Sequence, residues 1–125
     1  ELAVVALHLD FARARRRRAQ LEEVAAALAG ESRPLVVMGD FNSAWSRRDP
    51  SGLVDFTRRL GLQPWAPELR RRDGVGTFPA MGRRLDWILV SESLDFASYA
   101  TLQGDRVSDH LPVLADLRPR RALAA

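Results

Sequence analysis

The run Leu35-Val36-Val37-Met38-Gly39-Asp40-Phe41-Asn42 passes from an apolar strand straight into a carboxylate and a carboxamide two residues apart. Side chains alternate along an extended chain, so Asp40 and Asn42 can project to the same side at the strand's carboxyl end. That end is where α/β sheets place ligands and chemistry. A carboxylate only accepts hydrogen bonds, whereas a carboxamide both donates and accepts, so the pair suits gripping a water molecule and a phosphate oxygen together. The chemistry suggested is metal-assisted phosphoester hydrolysis. Taken without their surroundings, the same two residues would also serve as a turn and helix cap.

The flanking segments place this strand in a layered fold. Leu2-Ala3-Val4-Val5-Ala6-Leu7-His8-Leu9 is apolar on both faces, as for a strand buried within a sheet. Asp10 follows as a helix cap. Residues 12–29 read as an amphipathic helix with Ala14, Leu21, Val24, Ala25 and Leu28 on one face, ended by Gly30. After a polar loop from Ser43, Asp49-Pro50-Ser51-Gly52 opens a second helix that runs to about Leu60 and stops at Gly61. The stretch 62–84 reads as loop-rich, with one short strand near Gly76-Thr77-Phe78. Strands are predicted over 85–91, 96–102 and 111–117, and 118–125 reads as a frayed tail. A β-α-β opening followed by further strands implies an α/β sandwich whose sheets are covered by helices.

Composition narrows the function classes. Apolar residues at 46% and charged residues at 28% describe an ordinary globular chain of one domain or a piece of one, not a disordered one. With no cysteine, disulfide frameworks, thiolate metal sites and cysteine nucleophiles are all excluded. All 19 basic residues are arginines, and the net charge of +3 favours polyanion contact only where the charge is clustered. The run Arg15-Arg16-Arg17-Arg18 has Glu22 and Glu23 one turn on, which reads as a solvated, salt-bridged helix face. Arg47 and Arg48 follow the Asp40–Asn42 motif directly and could line a groove for phosphates. No apolar run approaches the ~18 residues of a membrane span, so no membrane segment is expected in this chain.

Six polar side chains sit at strand ends or strand–loop junctions: His8, Asp40, Asn42, Asp86, Asp109 and His110. Asp86 shares a strand face with Ile88 and Val90 and so points into the protein, where a carboxylate needs a partner. Arg84 is one candidate. A histidine held by a buried carboxylate is another, because that contact fixes the tautomer and raises basicity.

The ordered set Ala6-Leu7-His8-Leu9, Gly39-Asp40-Phe41-Asn42-Ser43, Gly76-Thr77-Phe78-Pro79, Arg84-Leu85-Asp86-Trp87-Ile88-Leu89-Val90 and Ser108-Asp109-His110 resembles the endonuclease/exonuclease/phosphatase superfamily. The resemblance runs from residue 2 to about 117, as the C-terminal portion of such a domain. It implies part of a four-layer α/β/β/α sandwich of the deoxyribonuclease-I-like type. The family's first half, with an asparagine at the first strand's end and a metal-holding glutamate, has no counterpart in these residues. An upstream portion is therefore expected. Leu7 stands where the family commonly has threonine, which removes a hydroxyl that could support His8.

The resemblance also implies roles. Asp40 orients or deprotonates the attacking water, and Asn42 holds that water or a phosphate oxygen. His110 stabilises charge on the non-bridging oxygens or serves as the base, with Asp86 orienting it. Asp109 approaches the metal directly or through water, and His8 contacts the phosphate or protonates the leaving group. Oxygen ligands such as Asp40 and Asp109 favour Mg²⁺ or Mn²⁺ over zinc.

The function expected is thus a divalent-metal-dependent phosphoester hydrolase, a nuclease or a phosphodiesterase or phosphatase, with nucleic acid among its candidate substrates. These 125 residues alone are expected to show little turnover, for want of that glutamate. The rival reading is a non-catalytic, arginine-rich module that binds nucleic acid or a partner.

Overall fold

The computed structural model describes residues 1–71, 75–104 and 107–122. Strand β1 (Ala3–His8) leads through helix α1 (Ala14–Leu28) to β2 (Leu35–Asp40). Helix α2 (Leu53–Arg59) and a short strand β3 (Leu62–Gln63) follow, and then β4 (Asp86–Ser91), β5 (Leu94–Thr101) and β6 (Val113–Pro119). Strands β1-β2-β4-β3 form one sheet in that order, and β5-β6 form another. The β1–β2 pair is parallel and joined by α1, while β2–β4 and β3–β4 are antiparallel.

Both faces of β2 and β4 are covered, which explains their unbroken apolar runs. On one face Val37, Leu89 and Trp87 pack with Leu21 and Ala25 of α1 and Leu53 and Phe56 of α2. On the other, Val36 and Val90 meet Leu94, Phe96 and Leu117 of the second sheet. Helices, a four-stranded sheet and a two-stranded sheet therefore stack in that order, three of the layers of the expected sandwich. The second sheet does not reach across to β1, where Val4 is half-exposed.

Several boundaries differ from the sequence reading. Asp10 does not cap the helix directly, since α1 begins after Arg13. Its Oδ1 instead accepts the Ala12 and Arg13 N–H groups (3.0 and 2.7 Å), fixing the turn that feeds the helix. Strand β3 went unforeseen because two residues carry no readable alternation. Near 76–78 the described residues form only a single bridge, Phe78 to Arg83. The last strand runs past Leu117, with Arg118 opposite Asp95 and Pro119 opposite Leu94. Arg120 donates to the Ser93 carbonyl and to Asp95 (both 2.8 Å), so the described part of 118–122 begins as a bound strand end, not a free tail. Residues 123–125 lie outside the described residues.

Gly39 is the tightest point of the main sheet. Its φ is +139°, and a Cβ there would lie 1.9 Å from the Leu7 carbonyl oxygen of β1. Gly39→Ala is expected to destabilise the fold by about 3 kcal/mol or more, read from the shift of the urea midpoint.

Candidate active site

Strand register brings the first three candidate residues together. His8 of β1 lies opposite Asp40 of β2, and Asp40 lies opposite Asp86 of β4. Residues directly opposite in a sheet point to the same face. The face that carries Val36 and Val90 at one end therefore carries His8, Asp40 and Asp86 at the other. The alternation that makes these strands apolar inside also delivers their acidic ends to one row.

His110 comes from a different direction. It lies in the loop before β6, where its backbone N–H donates to Ser108 Oγ (3.1 Å). The next amide, of Leu111, donates to the Thr77 carbonyl (2.8 Å), and the imidazole packs on the Phe78 ring with centroids 5.0 Å apart. This places His110 Nδ1 2.7 Å from Asp86 Oδ2. The other ring nitrogen, Nε2, is 3.7 Å from Asp40 Oδ2, and His8 Nε2 approaches the same oxygen at 3.4 Å. Asp86 thus takes the histidine, not the arginine. Arg84 turns away to the buried Glu68 and to Thr101 Oγ1.

Asn42 reaches the site by another route than strand alternation. Strand β2 ends at Asp40, and Asn42 adopts the left-handed region with φ 46°. Asp40 Oδ1 accepts the Asn42 N–H (2.8 Å), a local turn that folds the two side chains together. The Asn42 carboxamide Nδ2 donates to the Leu9 carbonyl (2.8 Å), tying the loop after β2 to the end of β1.

His8, Asp40, Asn42, Asp109 and His110 all line one cavity of about 660 Å³. Asp109 stands exposed at its rim, outside the tight cluster of Asp40, Asp86 and His110. Arg17 and Arg83 also line the cavity, whereas Arg47 and Arg48 do not. Three of the run's four arginines are locally engaged: Arg16 meets Asp10 at 3.6 Å, Arg18 meets Glu22 at 3.6 Å, and Arg17 Nη1 donates to the Asp10 and Phe11 carbonyls.

Thr77 was not singled out from sequence as a site residue. It is fully buried, and its Oγ1 accepts the backbone N–H groups of Leu85 and Asp86 (3.0 and 3.1 Å) while its carbonyl takes that of Leu111. One residue therefore fixes both Asp86 and the segment bearing His110. The Gly76-Thr77-Phe78-Pro79 motif was the available signal. Trp87, on the opposite face of β4, packs at 5.5 Å from Trp45 and donates its indole N–H to the Ser43 carbonyl (3.0 Å), which steadies the loop after Asn42.

Electrostatics follow from this crowding. Burial raises the Asp40 pKa; the Asn42 N–H opposes that, the Asp86 charge adds to it, and the two imidazoles oppose it, with a net shift upward. For His110 burial acts downward, but the Asp86 hydrogen bond and the charges of Asp86, Asp40 and Asp109 outweigh it and hold the pKa above 6.5. Asp40, Asp86 and His110 offer ligand atoms within 4.8 Å of one another. Two hard carboxylates under mutual repulsion fit a divalent cation, which would relieve that repulsion. The fit belongs mainly to Asp40 and the free Asp86 oxygen, because His110 Nδ1 is already hydrogen-bonded.

The chain matches the model of the Endonuclease/Exonuclease/phosphatase family over residues 3–110, and it belongs to that family. Similar solved structures carry the same fold. A functionally unknown conserved protein from Enterococcus faecalis is 24% identical, with a TM-score of 0.71 over 94% of this chain and 50% of its own. A mannosyl-6-phosphatase from Bacteroides thetaiotaomicron is 23% identical, with a TM-score of 0.65 over 92% of this chain and 50% of its own. The human Nocturnin catalytic domain, solved with a bound sulfate anion, is 24% identical, with a TM-score of 0.67 over 95% of this chain and 47% of its own. The chain spans about half the length of these structures.

Because the folded protein holds the His110 proton more tightly than the unfolded chain does, this contact stabilises the fold fully below pH 6.5. The contribution is lost as pH rises through the folded pKa. In Asp86→Asn the His110 titration, followed by NMR of the ring protons without added metal, is expected to move down. The loss of stability on the alkaline side of pH 6.5 should flatten with it.

Proposed function

We propose that this chain carries the water-activating and charge-stabilising part of a divalent-metal-dependent phosphoesterase site, of nuclease or phosphatase type. The observation that carries the reading is the line Asp86–His110–Asp40, with Nδ1 held at 2.7 Å on one carboxylate and Nε2 3.7 Å from the other. Nδ1–H donated to Asp86 leaves Nε2 as the working nitrogen of the ring.

Hydrolysis of a phosphoester places negative charge on the non-bridging oxygens and on the leaving oxygen. Asp40, whose proton affinity is raised by burial, accepts a proton from the attacking water. His110, held protonated beside Asp86, donates from Nε2 to a non-bridging oxygen and stabilises the charge there. Asn42 fixes Asp40 through its backbone N–H and presents its carboxamide to the cavity wall. His8, largely exposed beside Asp40, is placed to protonate the leaving oxygen. Asp40, Asp86 and Asp109 would hold a Mg²⁺ or Mn²⁺ ion, which would supply Lewis-acid neutralisation of the phosphoryl oxygens. The metal-holding glutamate implied by the family resemblance has no counterpart among these residues, so turnover is expected of a chain that includes it and little of the 125 residues alone.

Family membership and the phosphatase among the similar structures support the reading. Its test is hydrolysis of bis(p-nitrophenyl) phosphate with Mg²⁺ or Mn²⁺ by the full-length protein. Asp40→Ala and His110→Ala are each expected to lower kcat by about 100-fold or more. Equal rates in wild type and Asp40→Ala would remove the reaction from this site. Salt-sensitive DNA binding without any turnover would favour the non-catalytic module instead.

A further inference from the structure

Next to the active-site cavity lies a second one of about 440 Å³, and Arg83 lines both. The pair Arg83-Arg84 shows how differently two adjacent arginines can be used. Arg84 is 11% exposed and is consumed by the ion pair with Glu68 and by Thr101. Arg83 is exposed, and no acid among the described residues engages its guanidinium.

The backbone that presents Arg83 is nonetheless rigid. Its carbonyl accepts the N–H groups of Thr77 and Phe78 (3.0 and 2.8 Å), and its own N–H donates back to Phe78 (3.3 Å). Gly76 and Gly82 flank this bridge with φ of 61° and 60°. A Cβ on Gly76 would lie 2.3 Å from the Arg83 carbonyl oxygen, so the close approach requires glycine. A side chain with no acidic partner among the described residues is thus held by a tightly specified piece of backbone, at the junction of two cavities.

The second cavity has the charge to match an anion. Its described lining includes Arg71, Arg83 and Arg84 against a single acid, Glu68. The buried Glu68 is neutralised by Arg84, so the described lining keeps the positive charge of Arg83. The active-site cavity is more evenly balanced, with Asp40 and Asp109 set against Arg17 and Arg83. A guanidinium grips phosphate through paired N–H donors, and an exposed arginine on fixed backbone at such a boundary suits a dianionic group.

We propose that Arg83 is a specificity-determining residue that holds a second phosphate of the substrate in the adjoining cavity, so that phosphoesters bearing a further phosphate beside the scissile one are preferred. This rests on the phosphoesterase reading only for which phosphate is cleaved.

The test reads binding and needs no turnover. The protein is titrated calorimetrically with inorganic tripolyphosphate and with orthophosphate, in metal-free buffer at fixed ionic strength. Tripolyphosphate should bind at least about tenfold more tightly, one well-placed charged contact being worth that much. Arg83→Gln should erase the preference, Arg83→Lys should restore part of it, and Arg48→Gln, outside both cavities, should keep it. Equal affinities in the wild type, a preference that survives Arg83→Gln, or an equal loss in Arg48→Gln each overturn the proposal. A thermal melt on every variant separates unfolding from lost binding. Failure of the phosphoesterase reading would show instead as absent hydrolysis of bis(p-nitrophenyl) phosphate, whatever the tripolyphosphate result.

Discussion

Two carboxylates at the ends of adjacent antiparallel strands, Asp40 and Asp86, dominate the energetics of the site. Partly buried charges of like sign raise each other's cost, and the protein meets that cost with an imidazole between them. His110 bonds Asp86 directly and faces Asp40, so one residue serves both acids. The rest of the local structure holds that arrangement. The loop before β6 must return to the end of β4, and Thr77 must anchor both segments.

Thr77 shows how a buried hydroxyl does this. Accepting the amides of Leu85 and Asp86 satisfies the start of β4, where the sheet ladder has no partner to offer. Its carbonyl then fixes the Leu111 amide, and Phe78 supports the ring of His110. On the other side Gln20 accepts the Asp10 N–H (2.9 Å) and Arg17 binds two carbonyls of the same turn. Helix α1 therefore steadies the turn whose Leu9 carbonyl receives Asn42. Both walls of the cavity are braced by side chains that do not enter the chemistry.

The arginines divide by environment. Several pair with nearby acids or carbonyls, as in Arg16 with Asp10 and Arg33 with Glu31 at 2.8 Å. Arg84 joins a buried cluster where Tyr99, stacked at 4.8 Å on Trp65, has its phenol pushed up to about 12 by burial. Exposed pairs of this kind add little stability, so the arginine content says less about function than the position of a single arginine at a cavity boundary.

Strand periodicity and loop chemistry made much of the fold legible in advance. The apolar runs at 2–9, 35–39 and 85–91, the amphipathic helix and the Gly stops mark the β-α-β core, and the motifs carried the family with them. The same residues named the ends where His8, Asp40 and Asp86 emerge. Short-range pattern could not find β3, place Arg118 and Pro119 in β6, or see that Asn42 arrives through a left-handed turn. Nor could it choose between Arg84 and His110 as the partner of Asp86, because that choice depends on where two loops distant in sequence meet. Strand composition and alternation were set by the chain itself; which charges face one another was decided only when the register and the loop closures brought them within hydrogen-bonding reach.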